Sequence, residues 1–206
     1  MTDTNSHNAA PMDQQALDLA LRSLAIRLNA NQSEYYGLVV CGGSALILTG
    51  LVPRTTTDVD VVALMKGDAL MAPDPFPADL EKALREVAED LNLPGNWLNN
   101  GPSRGTGGLF QMGLPDGFSE RLQRVHFGNR LDVYFIHRID QIHFKLYAAV
   151  DRGGYHINDL KALNPTEDEL IAAARWAMTH DVSDAFAMLL KNLLKAIGYE
   201  NAAERV

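Results

Sequence analysis

The chain has one cysteine, Cys41, in 206 residues, so no internal disulfide is available to it. Its place in an apolar stretch reads as a small buried hydrophobe. No apolar run approaches the roughly 18 residues of a membrane span, and the start, MTDTNSHNAAPMDQQ, lacks the basic end and apolar centre of a secretory signal. A soluble cytoplasmic chain without a membrane partner is expected. Cations are also short, with 18 Lys and Arg against 26 Asp and Glu and a formal net charge of -8. That balance opposes broad, non-specific binding to nucleic acid, which needs many cations on phosphates. No Gly-Lys-Ser/Thr follows the glycine pairs, which sets a P-loop aside, and one cysteine with scattered histidines offers little to zinc. What is plentiful is apolar side chain, 47% of the total, enough for the core of one large domain or two small ones.

The informative stretch is 38–64, LVVCGGSALILTGLVPRTTTDVDVVAL. An apolar strand meets Gly42-Gly43 and turns into a short helix at Ser44-Ala45-Leu46. Two glycines suit such a corner because they accept positive φ and allow close approach to the backbone. The helix start leaves free N–H groups and a positive dipole end that favour a phosphate, to which Ser44 can add a hydroxyl. Pro53 to Thr57 make a polar corner where Arg54 either approaches phosphates or is solvated. In the strand that follows, a period of two puts Asp58 and Asp60 on one face and Val59 and Val61 on the other. Two carboxylates one strand step apart repel unless a cation or shared proton relieves them, so the D-x-D is a candidate divalent-metal site. The competing reading is that both aspartates merely cap turns.

In chain order, residues up to Met12 read as a disordered tail, and residues 13–137 as a mixed α/β core. Leu17, Leu21, Leu24 and Leu28 form the stripe of a first helix, and Leu80, Leu84, Val87 and Leu91 that of a second. Between Leu93 and Gly117 lies a long Gly- and Pro-rich segment that either serves function or hides short strands, with Trp97 and Phe110 packing parts of it. Residues 121–127 and 131–136 read as strands around a Gly128-Asn129 hairpin turn. Asp132 stands alone among apolar neighbours and needs a partner. It completes a three-carboxylate cluster if its strand lies beside the D-x-D strand, and is otherwise a surface aspartate at a strand end. Arg121, Arg124, Arg130, Arg138 and Lys145, with His126, His137 and His143 between them, form either a local basic cleft or a solvated face. Residues 138–206 read as a helical region, with a capping box at Thr166 and Glu169 and a last helix capped by Asp181 or Ser183.

G-G-S-x-x-L followed by R-x-T-x-D-V-D-V resembles the nucleotidyltransferase-fold superfamily, which includes DNA polymerase β and many small bacterial transferases. The resemblance implies an α+β fold, a polymerase β-like mixed sheet with flanking helices, here followed by a C-terminal helical part. It implies that Gly42, Gly43 and Ser44 hold a nucleoside triphosphate and that Asp58 and Asp60, with Asp132 as third carboxylate, bind Mg²⁺, two ions being possible. A closer likeness is to minimal nucleotidyltransferases related to AbiEii-type toxins. Three segments carry it: W-L-N-N at Trp97 to Asn100, K-L-Y-A-A-V-D-R from Lys145 to Arg152, and the later D-L at Asp159. His156 and Asn100 stand where that group often has Asp. The likeness places Lys145, Arg152 and Asp159 at family positions and implies that Lys145 holds the phosphates. For Asp159, a salt bridge to Arg152 is the structural alternative.

The function implied is Mg²⁺-dependent transfer of NMP from an NTP to a hydroxyl, as the toxin of a toxin–antitoxin or phage-defence pair with a cognate antitoxin. The acceptor is open between a tRNA or other RNA end, a protein and a small molecule. The alternative is a catalytically inactive module of the same fold that binds a nucleotide or a partner.

Overall fold

The computed structural model describes residues 11–206. The expected tail therefore lies, over residues 1–10, outside the described residues. Met12, at the end of that expected tail, is buried and bridges Thr56, with its N–H donating to the Thr56 carbonyl at 2.6 Å. The architecture is α+β, a mixed six-stranded sheet with flanking helices and a helical C-terminal part. No helix among the described residues is long and apolar enough to cross a membrane.

Two compact units divide the chain, one made of residues up to 111 with 124–135, the other of 112–123 with 136–206. In the first, α1 (Gln14–Ala30) is capped by Asp13, whose carboxylate accepts from Ala16 N–H, and buries Leu17, Leu21, Leu24 and Leu28. Then come β1 (Tyr36–Cys41), α2 (Gly42–Leu48), β2 (Val59–Lys66), β3 (Ala69–Met71), α3 (Ala78–Leu91) and β4 (Leu98–Asn99). A short α4 (Leu109–Met112) precedes β5 (Gln123–Gly128) and β6 (Leu131–Phe135).

The strand order is β3-β2-β1-β6-β5, with β4 also pairing β2. β1 runs antiparallel to β2 and parallel to β6. Leu38 and Val40 of β1, Val59 and Val61 of β2, and Leu131, Val133 and Phe135 of β6 enter one core with the stripes of α1 and α3. Strand periodicity sends Gly37, Cys41, Asp60 and Asp132 to the opposite face. The short strands β3 and β4 both pair β2.

The second unit holds α5 (Arg138–Arg152), α6 (Tyr155–Ala162), α7 (Glu167–His180), α8 (Asp184–Ala196) and α9 (Glu200–Glu204). The capping box forms as expected, with Thr166 Oγ1 accepting from Glu169 N–H and Glu169 accepting from Thr166 N–H. Ser183, not Asp181, caps α8 by accepting from Phe186 N–H. Trp176 packs on Phe144, with centroids 5.6 Å apart, which ties α7 to α5.

Candidate active site

The site in the first unit grows from the β1–α2 corner. Gly42 has φ +70, and a Cβ there would stand 2.5 Å from Asp60 Oδ2, so only glycine lets the chain pass this close to the carboxylate. A Cβ on Gly43 would meet Thr56 Oγ1 at 2.9 Å and Arg54 Nη2 at 3.2 Å. Thr56 Oγ1 in turn donates toward Asp58 Oδ1 at 3.3 Å. The bridge to Met12 fixes Thr56, and register sets Asp60 opposite Cys41. Gly42, Gly43, Arg54, Asp58 and Asp60 are thus brought together. Asp58 and Asp60 are half-buried while Val59 between them is fully buried, the alternation that the strand period requires. Ser44 is fully buried and its hydroxyl donates back to the Cys41 carbonyl at 3.3 Å.

On the other edge of β2, β4 runs parallel, pairing Val59 with Leu98 and Asp60 with Asn99. Trp97 is fully buried and donates through Nε1 to the Leu84 carbonyl at 3.2 Å, so the indole anchors this segment on α3. Asn100 is buried, its Nδ2 donating to the Pro73 carbonyl at 2.9 Å and to Asp74 Oδ1 at 3.2 Å. The sequence left this Gly- and Pro-rich segment open between a functional loop and hidden short strands, and β4 is such a strand. The apolar pair Trp97-Leu98 before two asparagines was the signal for a short strand beside the D-x-D.

Asp132 corrects an expectation. Its strand does not lie beside β2, because β1 runs between them. Asp132 pairs Gly37 and Asp60 pairs Cys41, four residues further along β1, which is about 13 Å of strand. The lone carboxylate finds its partners locally instead. Tyr35 Oη donates to it at 2.5 Å, Arg124 Nε donates to it, and His126 Nδ1 lies 2.8 Å from Oδ1. Burial on its own raises this carboxyl, and the donors from Tyr35, His126 and Arg124 outweigh it, leaving the carboxyl below its usual range. Burial, with Asp132 beside it, raises the Tyr35 phenol.

In the second unit, Lys145 on α5 donates to Asp159 Oδ2 on α6 at 2.7 Å, each side chain only 5% exposed. The Lys145 ammonium also stands 5.7 Å from the Tyr155 ring centre. Asp159 therefore takes Lys145, and not Arg152, as its salt-bridge partner. Arg152 is exposed and donates to Asp151 Oδ2 at 3.2 Å.

The basic run is internally engaged. Arg121 donates to Asp140 at 2.6 and 3.2 Å, and Arg130 to the Ser33 carbonyl. Arg138 holds Glu169 at 2.6 and 3.0 Å and the Leu163 and Asn164 carbonyls at 2.9 and 2.8 Å. With Arg124 on Asp132 and Lys145 on Asp159, each of the five cations has a partner inside its own unit.

Two half-buried carboxylates beside a glycine corner offer hard oxygen ligands. Mg²⁺ prefers this kind of set, one or two carboxylates completed by phosphate oxygens and water. Asp58 and Asp60 fit that requirement, and Asp132 is not needed for it.

Residues 19–164 match a family described as "Nucleotidyltransferase of unknown function (DUF6036)". The chain belongs to this family. The match spans both glycines of the corner, the D-x-D, Asn99, Lys145 and Asp159. No curated protein and no solved structure matches the chain. The family's description points this DUF6036 chain to nucleotidyl transfer as its class of chemistry.

Proposed function

We propose that this DUF6036 protein is an Mg²⁺-dependent nucleotidyltransferase that moves NMP from an NTP to a hydroxyl acceptor. The observation that carries the reading is the approach of the Asp60 carboxylate to the Gly42 corner, with Arg54 and Thr56 against Gly43. Asp58 and Asp60 would hold the metal, which when bound supplies charge stabilisation to the phosphate oxygens and to the departing pyrophosphate. The Gly42-Gly43 backbone would receive the triphosphate, and Arg54 would lie beside it as a cation. The acceptor oxygen bonds to the α-phosphorus as the α–β bridging bond breaks, the acceptor proton passes to solvent, and pyrophosphate leaves. Positioning and electrostatics carry such a reaction. Lys145 and Arg152, the phosphate ligands that the family likeness implies, belong to the second unit, where Lys145 holds Asp159 and Arg152 holds Asp151.

The likeness to AbiEii-type toxins extends the proposal to a toxin neutralised by a cognate antitoxin. An RNA end, a protein or a small molecule is the acceptor class under test. Incubating the protein with the four NTPs, Mg²⁺ and total RNA should release pyrophosphate, and Asp60→Ala should abolish that release. Full activity in Asp60→Ala would sink the metal mechanism. Growth arrest on expression, relieved by a neighbouring reading frame, tests the toxin role.

A second reading, a module that binds nucleotide without catalysis, is favoured by two observations. Asp132 is bonded to Tyr35, Arg124 and His126, and Lys145 is neutralised by Asp159. Mg²⁺-dependent NTP binding without pyrophosphate release under any acceptor would select it.

A further inference from the structure

Asn99 is paired directly with Asp60 across parallel strands, one residue after the pair Leu98–Val59. Leu98 and Val59 both enter the core, so Asn99 and Asp60 turn the other way, side by side, at roughly 5 Å, the spacing of neighbouring strands. Asn99 is half-buried, as Asp60 is. Its Oδ1 accepts from the Gly101 N–H at 2.8 Å, and a Cβ on Gly101 would stand 2.7 Å from that oxygen. The backbone donor fixes which end of the carboxamide is which, because only the oxygen can accept. With Oδ1 held, the Nδ2 amino group is the end left to donate, and it forms no hydrogen bond to another described residue.

We propose that Asn99 is a nucleotide-binding residue, its Nδ2 donating to the triphosphate of an NTP bound at the Gly42–Asp60 site. The idea rests on the nucleotidyltransferase reading and adds to it a contact from β4. Asp58 and Asp60 repel a bare polyphosphate, and a neutral donor beside them recognises phosphate oxygen without competing for the metal. A carboxamide locked at one end is preorganised for that contact, since little rotamer freedom remains to be lost on binding.

Asn99→Asp is the decisive variant because it keeps the shape and the acceptor for Gly101 N–H while replacing the donor with a second oxygen. Asn99→Ser is the companion, since a hydroxyl can still accept from the N–H two residues on. Titrating ATP, GTP, CTP and UTP at fixed Mg²⁺ into wild type and both variants, each with an unfolding midpoint measured, reads the effect. Expected are tenfold or greater weakening in Asn99→Asp and at least threefold in Asn99→Ser, with unfolding midpoints near wild type. Undiminished affinity in either variant overturns the assignment, and tighter Mg²⁺-dependent binding in Asn99→Asp would make the position a metal-ligand site instead. Failure of wild type to bind any Mg²⁺–NTP overturns the nucleotidyltransferase reading itself, and this inference with it.

Discussion

Asp60 and Asp132 lie on one face of the sheet, yet β1 separates their strands and four residues of β1 separate their register positions. The first belongs to the glycine corner and the second to a cluster with Tyr35, Arg124 and His126.

That separation predicts different phenotypes for two similar changes. Asp132→Asn should leave Mg²⁺-dependent NTP binding within about twofold of wild type and lower stability by about 1–3 kcal/mol, the cost of disrupting a buried hydrogen-bonded carboxylate. Because the donors hold the folded carboxyl below its usual value of 3.8, its contribution is fully present above the unfolded pKa. It is lost as pH falls through the lower folded value. Urea denaturation of both proteins should show a stability gap that is constant down to about pH 4 and closes below it.

Lys145 and Asp159 form a pair whose side chains are almost fully buried. Removing either partner alone leaves an uncompensated charge, so Lys145→Met and Asp159→Leu should each cost about 3–5 kcal/mol. The double variant should recover much of that loss. Denaturation of the four proteins measures the coupling, and additive losses would show that the pair is not coupled in solution.

At the glycine corner, Gly43→Ala introduces a methyl 2.9 Å from Thr56 Oγ1 and 3.2 Å from Arg54 Nη2. Arg54 is the end of a flexible side chain and can yield, so the fold should survive with a loss of about 1–2 kcal/mol. NTP affinity should fall at least fivefold as Arg54 moves away. Gly42→Ala should be worse for stability, because the added Cβ lies 2.5 Å from Asp60 Oδ2 at a backbone φ of +70.

The parts of this molecule that local pattern encodes were readable in advance. The leucine stripe of α1, the Thr166–Glu169 capping box, the β1–α2 corner and the alternation around Val59 each depend on neighbours within a few residues. Strand order does not. Nothing in the residues around Asp132 says that β1 intervenes between β6 and β2, since that is decided by parallel pairing of segments about 95 residues apart in sequence. The position of β4 within the segment that hides short strands was not legible because two residues are too few to show a period, and its pairing with β2 is what brings Asn99 to Asp60. The partner of Lys145 was equally hidden, because Asp159 had an arginine closer in sequence.

Engagement of the basic run has a measurable consequence for nucleic acid. Arg121, Arg124, Arg130, Arg138 and Lys145 already hold carboxylates or carbonyls, so this run should contribute little counterion release from phosphates. Fluorescence anisotropy with a short single-stranded RNA across a salt series should give a shallow dependence, equivalent to fewer than about two phosphates neutralised. A steep slope would mean that these pairs open to bind RNA.

The central claim is that the Asp58–Asp60 pair, beside the Gly42-Gly43 corner, binds an NTP together with a divalent cation. Isothermal titration of NTPs into wild type and Asp60→Asn, with Mg²⁺ and with EDTA, tests it most directly. Binding by wild type in Mg²⁺, at least tenfold weaker in EDTA and in Asp60→Asn, is the predicted result. Equal NTP affinity in all four conditions would contradict the account.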